Sequence, residues 1–336
     1  MRAFVPARAD LAATLRLATP VVLVQVGMMA MGVVDTAFVG RVSEHALAAV
    51  GLGGMWSWGS MTFGLGALFA VGPLLAQAHG AGDGPAFGRA LRRGLVLVVA
   101  HSALAIALQM LCEPVLLASG QHPEVAAGAA AYVWRTIPGT LPFYVFAVLR
   151  EALQATHRVR PIVVVIVAAN LLNVLVDYAL VWGRLGLPAM GADGAAWATT
   201  ISRAAMCVGI VAAAWPVLGR ELRDWSRAAF AWPPLVRISV IGAPIGGQML
   251  LEFTGFAAMM VLMGRLGVTE VAAHQVTILL AASAFMVPLG VSQAAGVLVG
   301  NAVGRSDAPG ARRAAGAGTA VGVGFMCVTA VLFRAA

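Results

Sequence analysis

The chain has no lysine, and charge of either sign is scarce. Charged residues make up 11% of its 336 positions, while 60% are apolar. A soluble domain carries about 25% charged residues, so a water-facing shell cannot be built from this composition. Lipid can take the place of that shell, and the sequence reads as an integral membrane protein. Without lysine there is no GxxxxGK[ST] phosphate loop, so ATP-driven pumping by this chain alone is not expected. HExxH and GxSxG are absent too, and no enzyme activity or cofactor is expected. The three cysteines, Cys112, Cys207 and Cys327, lie far apart in apolar runs and form neither a disulfide framework nor a zinc spacing.

Long apolar runs are abundant. Crossing roughly 30 Å of hydrocarbon takes about 20 residues. Nine segments qualify: 15–39, 47–76, 90–112, 127–150, 159–182, 190–215, 236–263, 270–300 and 311–334. No run alternates with period two, which argues against a transmembrane barrel. The basic start followed by an apolar run reads as a retained first helix, not a signal peptide.

All 22 basic residues are arginines, and they give an orientation. With a cytoplasmic N-terminus, the inner segments hold 16: Arg2, Arg8, Arg16, Arg89, Arg92, Arg93, Arg150, Arg158, Arg160, Arg220, Arg223, Arg227, Arg237, Arg305, Arg312 and Arg313. The outer segments hold Arg41, Arg135, Arg184, Arg265 and Arg334, and Arg203 falls within a span. This asymmetry predicts a cytoplasmic N-terminus, and nine spans then put the C-terminus on the periplasmic side. The net charge of +8 therefore reads as membrane topology, with no nucleic-acid partner.

The sequence also repeats itself at a shift of 224 residues. Pro20 falls on Pro244, Gly40-Arg41 on Gly264-Arg265, Leu65-Gly66 on Leu289-Gly290, and Gly80 and Asp83 on Gly304 and Asp307. Between 20 and 94, 17 of the 75 aligned pairs are identical. The second copy begins six spans after the first, so both enter the membrane in the same sense. Such parallel repeats are common in secondary transporters, whose substrate path runs between the halves. The expected fold is all-α: a six-helix lobe over 1–216, a cytoplasmic linker over 217–235, and an incomplete three-helix lobe over 236–336.

Ionisable groups inside hydrocarbon are costly and mark functional sites by default. Asp35 lies in the outer half of the first span, with Gln25 nearby on the same helix. Asn170, Asn173 and Asp177 share one face of the fifth span, where they can hold a proton or a cation; helix–helix glue is the other reading of the two amides. Glu252 sits mid-way along the seventh span with Gln248 one turn before it. Burial there would make it a proton site, or a static partner of Arg203. Early in the eighth span, His274 is a weaker candidate for a titrating group and Gln275 for the substrate path.

Several long motifs now occur in order: QVGMMAMGVVDTAFVGRVSEHALAAVGLG at 25–53, GPLLAQAHGAGD at 72–83, LREALQATHRVRP at 149–161, NLLNVLVDYALVWG at 170–183, GAPIGGQMLLEFTGFAAMMVLMGRLGVTEVAAHQV at 242–276, and FMVPLGVSQAAGVLVGNAVGRSD at 285–307. Through them the chain resembles the multidrug and toxic compound extrusion (MATE) transporters from about 14 to 334. The resemblance implies a multi-pass antiporter of the bacterial inner membrane that exports organic cations or amphipathic drugs in exchange for H⁺ or Na⁺. Family members have twelve spans in two lobes and are expected to be monomers; self-association of this shorter chain stays open. The resemblance places Asp35 at the family's first-helix acid, Asn173 and Asp177 at its fifth-helix polar cluster, and Glu252 at its seventh-helix acid. If the coupling ion is Na⁺, Asp35, Asn173, Asp177 and Glu252 are its implied ligands. The family's further acid in a tenth helix has no counterpart among the nine spans. Two alternatives stay open: a truncated, non-transporting fragment or remnant, and a lipid-linked precursor flippase of the same superfamily.

Overall fold

The computed structural model describes residues 6–223, 225, 227–266 and 268–335. They form twelve α-helices: α1 (Arg8–Val39), α2 (Glu44–Leu68), α3 (Val71–Gly80), α4 (Gly84–Met110), α5 (Cys112–Ala118), α6 (Pro123–Thr136), α7 (Thr140–Ala155), α8 (Arg160–Leu180), α9 (Ala192–Arg223), α10 (Trp232–Leu266), α11 (Val268–Gly304) and α12 (Ala308–Ala335). No strand occurs among the described residues. Eight stretches are long and apolar enough to cross a membrane, and α2 and α3 count together as one of them. The chain is thus an all-α, multi-pass membrane protein. Its helices form two lobes, the second shorter than the first.

The fourth predicted segment, 127–150, departs from expectation. It is not one helix but α6, a 3-10 turn over Ile137–Gly139, and α7. Pro138 cannot donate a backbone hydrogen bond, and Gly139 lies against α9, where a Cβ would come 3.0 Å from Arg203 Cδ. The break therefore admits α9 closely. The expected linker is shorter than 217–235 as well. Residues 217–223 complete α9 and 232–235 begin α10. Between them the turn Arg227–Phe230 is tied to α4 by Arg93 Nη2, which donates to the Ala228 carbonyl at 3.3 Å.

The 224-residue repeat is visible in local structure. Asp83 caps α4 by accepting the Ala86 N–H at 2.8 Å, and Asp307 caps α12 by accepting the Gly310 N–H at 2.8 Å. Such caps satisfy N–H groups that have no partner within the helix. The residue before each cap is left-handed: Gly82 at φ 69° and its counterpart Ser306 at φ 59°. Pro20 and Pro244 lie inside α1 and α10 at matching positions.

The lobes meet along two matching seams, α1 against α11 and α10 against α2. A Cβ at Gly66 would overlap Gly246, and one at its counterpart Gly290 would overlap Val22, the counterpart of Gly246. Further along, Gly59 lies against Phe253, and the matching pair is Ser283 with Met29, 3.9 Å between Oγ and Sδ. Small residues let the backbones approach, as helix association in lipid requires. The first lobe also has a dense core in which Tyr144, Phe146, Leu149, Leu153 and Ile162 are fully buried. Tyr144 hydroxyl donates to the Met61 carbonyl at 2.7 Å, which satisfies its polar end.

Candidate ion-binding site

Three helices of the first lobe converge on Asp35. It lies in the last two turns of α1 and is buried, although an acid in hydrocarbon is costly unless it is partnered. The partners come from elsewhere in the chain. Asn173 Nδ2, on α8, donates to Asp35 Oδ1 at 2.9 Å. Thr199 Oγ1, on α9, donates to Asp35 Oδ2 at 2.6 Å. Each carboxylate oxygen thus has one neutral donor, and no cation forms an ion pair with it among the described residues.

Asp177 is one turn beyond Asn173 on α8, and both are fully inaccessible to solvent. Its carboxyl lies close enough to Asp35 for the two acids to interact. Neither of its oxygens has a protein donor, nor has Asn173 Oδ1. Two buried carboxyls and three unserved oxygens, two on Asp177 and one on Asn173, form an arrangement that a proton or a small hard cation completes. Oxygen ligands of this kind suit either. Arg203, one turn along α9 from Thr199, is close enough to attract Asp35. Its guanidinium stacks on Phe143 at 5.3 Å from the ring centroid and turns Nη1 towards Met61 Sδ at 3.7 Å.

The structure brings Asp35, Asn173 and Asp177 together, and the other candidates lie elsewhere. Asn170 does not reach this cluster. It donates to the Gly27 carbonyl at 3.0 Å and the Ile166 carbonyl at 2.9 Å, and so ties α8 to α1. Gln25 accepts from Arg150 Nη1 at 3.1 Å in a second buried cluster. There Arg150 Nη2 also pairs with Glu151 Oε1 at 3.1 Å, and the guanidinium lies over Phe69, 5.7 Å from the ring centroid. Arg150 is thus a core residue and not a mark of the cytoplasmic surface. Arg92 is buried likewise and donates to the Glu221 carbonyl at 2.8 Å.

Glu252 departs from the expected burial: it is exposed on α10, as is Gln248. It is not the partner of Arg203, which meets Met61 and Phe143 instead. It stands beside Phe253, whose ring fills the notch at Gly59 on the seam between lobes. His274 is half-buried, and its Nε2 has no partner. The side chain of Gln275 lies outside the described residues. Sequence reasoning passed over Thr199, which forms the shortest bond in the site, and the Arg150–Glu151 pair.

Comparison with known proteins agrees with this architecture. A family model described as MatE matches residues 20–179 and 244–335, two blocks that begin 224 residues apart. "Probable multidrug resistance protein NorM" of Bradyrhizobium diazoefficiens is 40% identical over 323 residues, covering 95% of this chain and 69% of its own length. "Multidrug resistance protein PmpM" of Pseudomonas aeruginosa is 34% identical over 332 residues, with 97% and 69% covered. Among solved structures, the eukaryotic MATE transporter AtDTX14 superposes with a TM-score of 0.85 at 22% identity, over 97% of this chain and 73% of that one. A MATE family transporter in an outward-facing conformation gives 0.81 at 18% identity, over 96% and 71%.

Proposed function

The chain belongs to the MATE family of secondary transporters, and we propose that it is an antiporter that exports organic cations or amphipathic drugs in exchange for H⁺ or Na⁺. The observation that carries this reading is Asp177, fully buried beside Asp35 with both oxygens unpartnered. We read Asp35, Asn173, Asp177 and Thr199 as the coupling-ion site. An ion that enters from the outer side neutralises the carboxyl pair and changes what α1, α8 and α9 hold in common. The inner half of α1 packs against α11 and contains Pro20, so a shift of α1 reaches the seam between lobes. Rocking of one lobe on the other then alternates access to a path between them.

The finer topology belongs to the same proposal. Helices α6 and α7 together form a fourth span, which gives six spans in the first lobe and three in the second. A 14-residue helix such as α6 is about 21 Å long, too short to cross alone. The arginine-rich end faces the cytoplasm, and the N-terminus with it. Glu252 and Gln248, exposed beside the seam, contribute polar groups to the substrate path, and the Glu252 carboxylate favours cationic drugs. His274 and Gln275 border the same path. Lipid and the transported drug are the only partners required.

The test is drug efflux in bacteria stripped of their own pumps, with the chain and its Asp35→Asn variant at matched membrane levels. Efflux that depends on an ion gradient and is lost in the variant is the expected result. Undiminished efflux in the variant removes Asp35 from the coupling site. Absence of efflux from the inserted parent chain overturns the antiporter assignment for this chain in favour of a non-transporting fragment.

A further inference from the structure

At the arginine-rich end, α3 of the first lobe crosses α11 of the second. The crossing elements are repeat counterparts: Ala76, Gln77 and Gly80 correspond to Gly300, Asn301 and Gly304 at the 224-residue shift. Their contacts are reciprocal. A Cβ at Gly80 would overlap the Asn301 backbone, and one at Gly304 would overlap the Gln77 carbonyl. Between these contacts, a Cβ at Gly300 would come 2.6 Å from Ala76 Cβ. The two helices thus touch backbone to backbone and close the gap between the lobes here.

One polar contact fastens this crossing. Asn301, 2% exposed, extends from α11 to the turn that joins α7 to α8. Its Nδ2 lies 2.7 Å from His157 Nε2 and 3.4 Å from the Ala155 carbonyl oxygen. The carbonyl can only accept, so the network assigns the amide nitrogen to this side. The imidazole nitrogen that meets it must therefore accept as well, which requires neutral His157 with its hydrogen on Nδ1. A doubly protonated ring would set N–H against N–H. Turning the amide over would set Oδ1 against the Ala155 oxygen. A charged ring is therefore served only by turning the amide over, which gives up the bond to the Ala155 carbonyl.

The surroundings oppose that charge as well. The titratable and charged groups that face His157 are His79 on α3, whose ring centroid is 6.3 Å away, and Arg305 just beyond α11. Burial, then His79 and Arg305, hold the His157 pKa below the ordinary histidine value. When the crossing opens to water, the pKa returns towards about 6.5. The closed arrangement therefore binds the proton less tightly than the open one. Its advantage is full above that value and is lost as pH falls from it through the lower pKa of the closed state.

We propose that His157 is a proton-sensitive latch: the neutral ring accepts the Asn301 amide and keeps the cytoplasmic end shut, and a proton taken up from the cytoplasm releases α11 from the α7–α8 turn. This rests on the alternating-access and orientation reading above. It adds a regulator distinct from the Asp35 site, one that favours opening towards the cytoplasm when the cell interior acidifies.

The experiment is a distance measurement on the full chain in lipid nanodiscs. Spin labels go on Pro85→Cys and Ala308→Cys, both exposed at this end, with the three native cysteines replaced by alanine. Asp35→Asn and Asp177→Asn are included so that the ion site does not titrate. Distances and not efflux are read, so a chain that fails to transport still reports on the latch. The label separation should lengthen between about pH 8 and about pH 5.5. His157→Gln, which keeps an acceptor but does not titrate, should stay short throughout. His79→Gln removes a like charge from the closed state, narrows the gap in proton affinity between closed and open, and should move the midpoint to lower pH. A separation that ignores pH in the parent, or a His157→Gln variant that lengthens as the parent does, overturns the latch.

Discussion

Thr199 and Asn173 each give one hydrogen bond to a buried carboxylate, and that defines what their loss does. Bonds to charged groups contribute about 1.5–3 kcal/mol, with a further penalty when the acceptor stays buried. Both donors favour the charged form of Asp35, so Thr199→Val and Asn173→Leu should each tighten proton binding at the site about tenfold or more. The half-saturating Na⁺ or H⁺ concentration for efflux from proteoliposomes is the quantity to measure. Asn170→Leu is the contrast. Asn170 serves the Gly27 carbonyl and not the acids, so its loss should lower thermal stability and leave the ion dependence unchanged. The two acids and Asn173 were legible in the sequence because charge and amide in hydrocarbon are anomalies. Thr199 was not. A threonine in a helix ordinarily bonds its own preceding turn, as Thr14, Thr62 and Thr254 do here, and nothing local marks the one that reaches across to another helix. Glu252 gave the same signal as Asp35, because hydropathy registers an acid without registering whether a helix face meets a core or an open seam.

Among the helices, the glycines on the lobe seams act as spacers. Gly304→Ala would place a methyl on the Gln77 carbonyl, and overpacking of this kind costs about 1–3 kcal/mol. The expected result is a lower unfolding temperature in detergent. Gly322→Ala, where a Cβ meets nothing within 4 Å, should be neutral or slightly stabilising, since alanine favours the helix. If both variants unfold together, backbone contact is not what joins α3 and α11. The repeat made these seams foreseeable as a symmetry, since Gly66 and Gly290, and Gly80 and Gly304, align without a gap. The break between α6 and α7 was harder to foresee. Averaged hydropathy runs smoothly through Ile137–Gly139, and only the Pro138-Gly139 pair marks the three residues where the helix changes course.

For the whole molecule, the arginines decide which way the transporter faces, and the structure changes their weights without reversing their sum. Arg150 and Arg92 are core residues, so the inner tally falls from 16 to 14 against five outside. The remainder still favours a cytoplasmic N-terminus. Orientation also fixes the sense of exchange, since the lobes close on each other at the arginine-rich end. Cysteine labelling decides it. With Cys112, Cys207 and Cys327 replaced, Ala308→Cys should react with a membrane-impermeant maleimide only in inverted vesicles. Gln121→Cys, exposed at the far end of the first lobe, should react in intact cells. The opposite pattern would set Asp35 in the cytoplasmic half of the bilayer and the closed α3–α11 crossing on the periplasmic face. The ion would then load from the wrong side to drive export, and the arginine asymmetry would have to be a product of protein packing and not of membrane insertion.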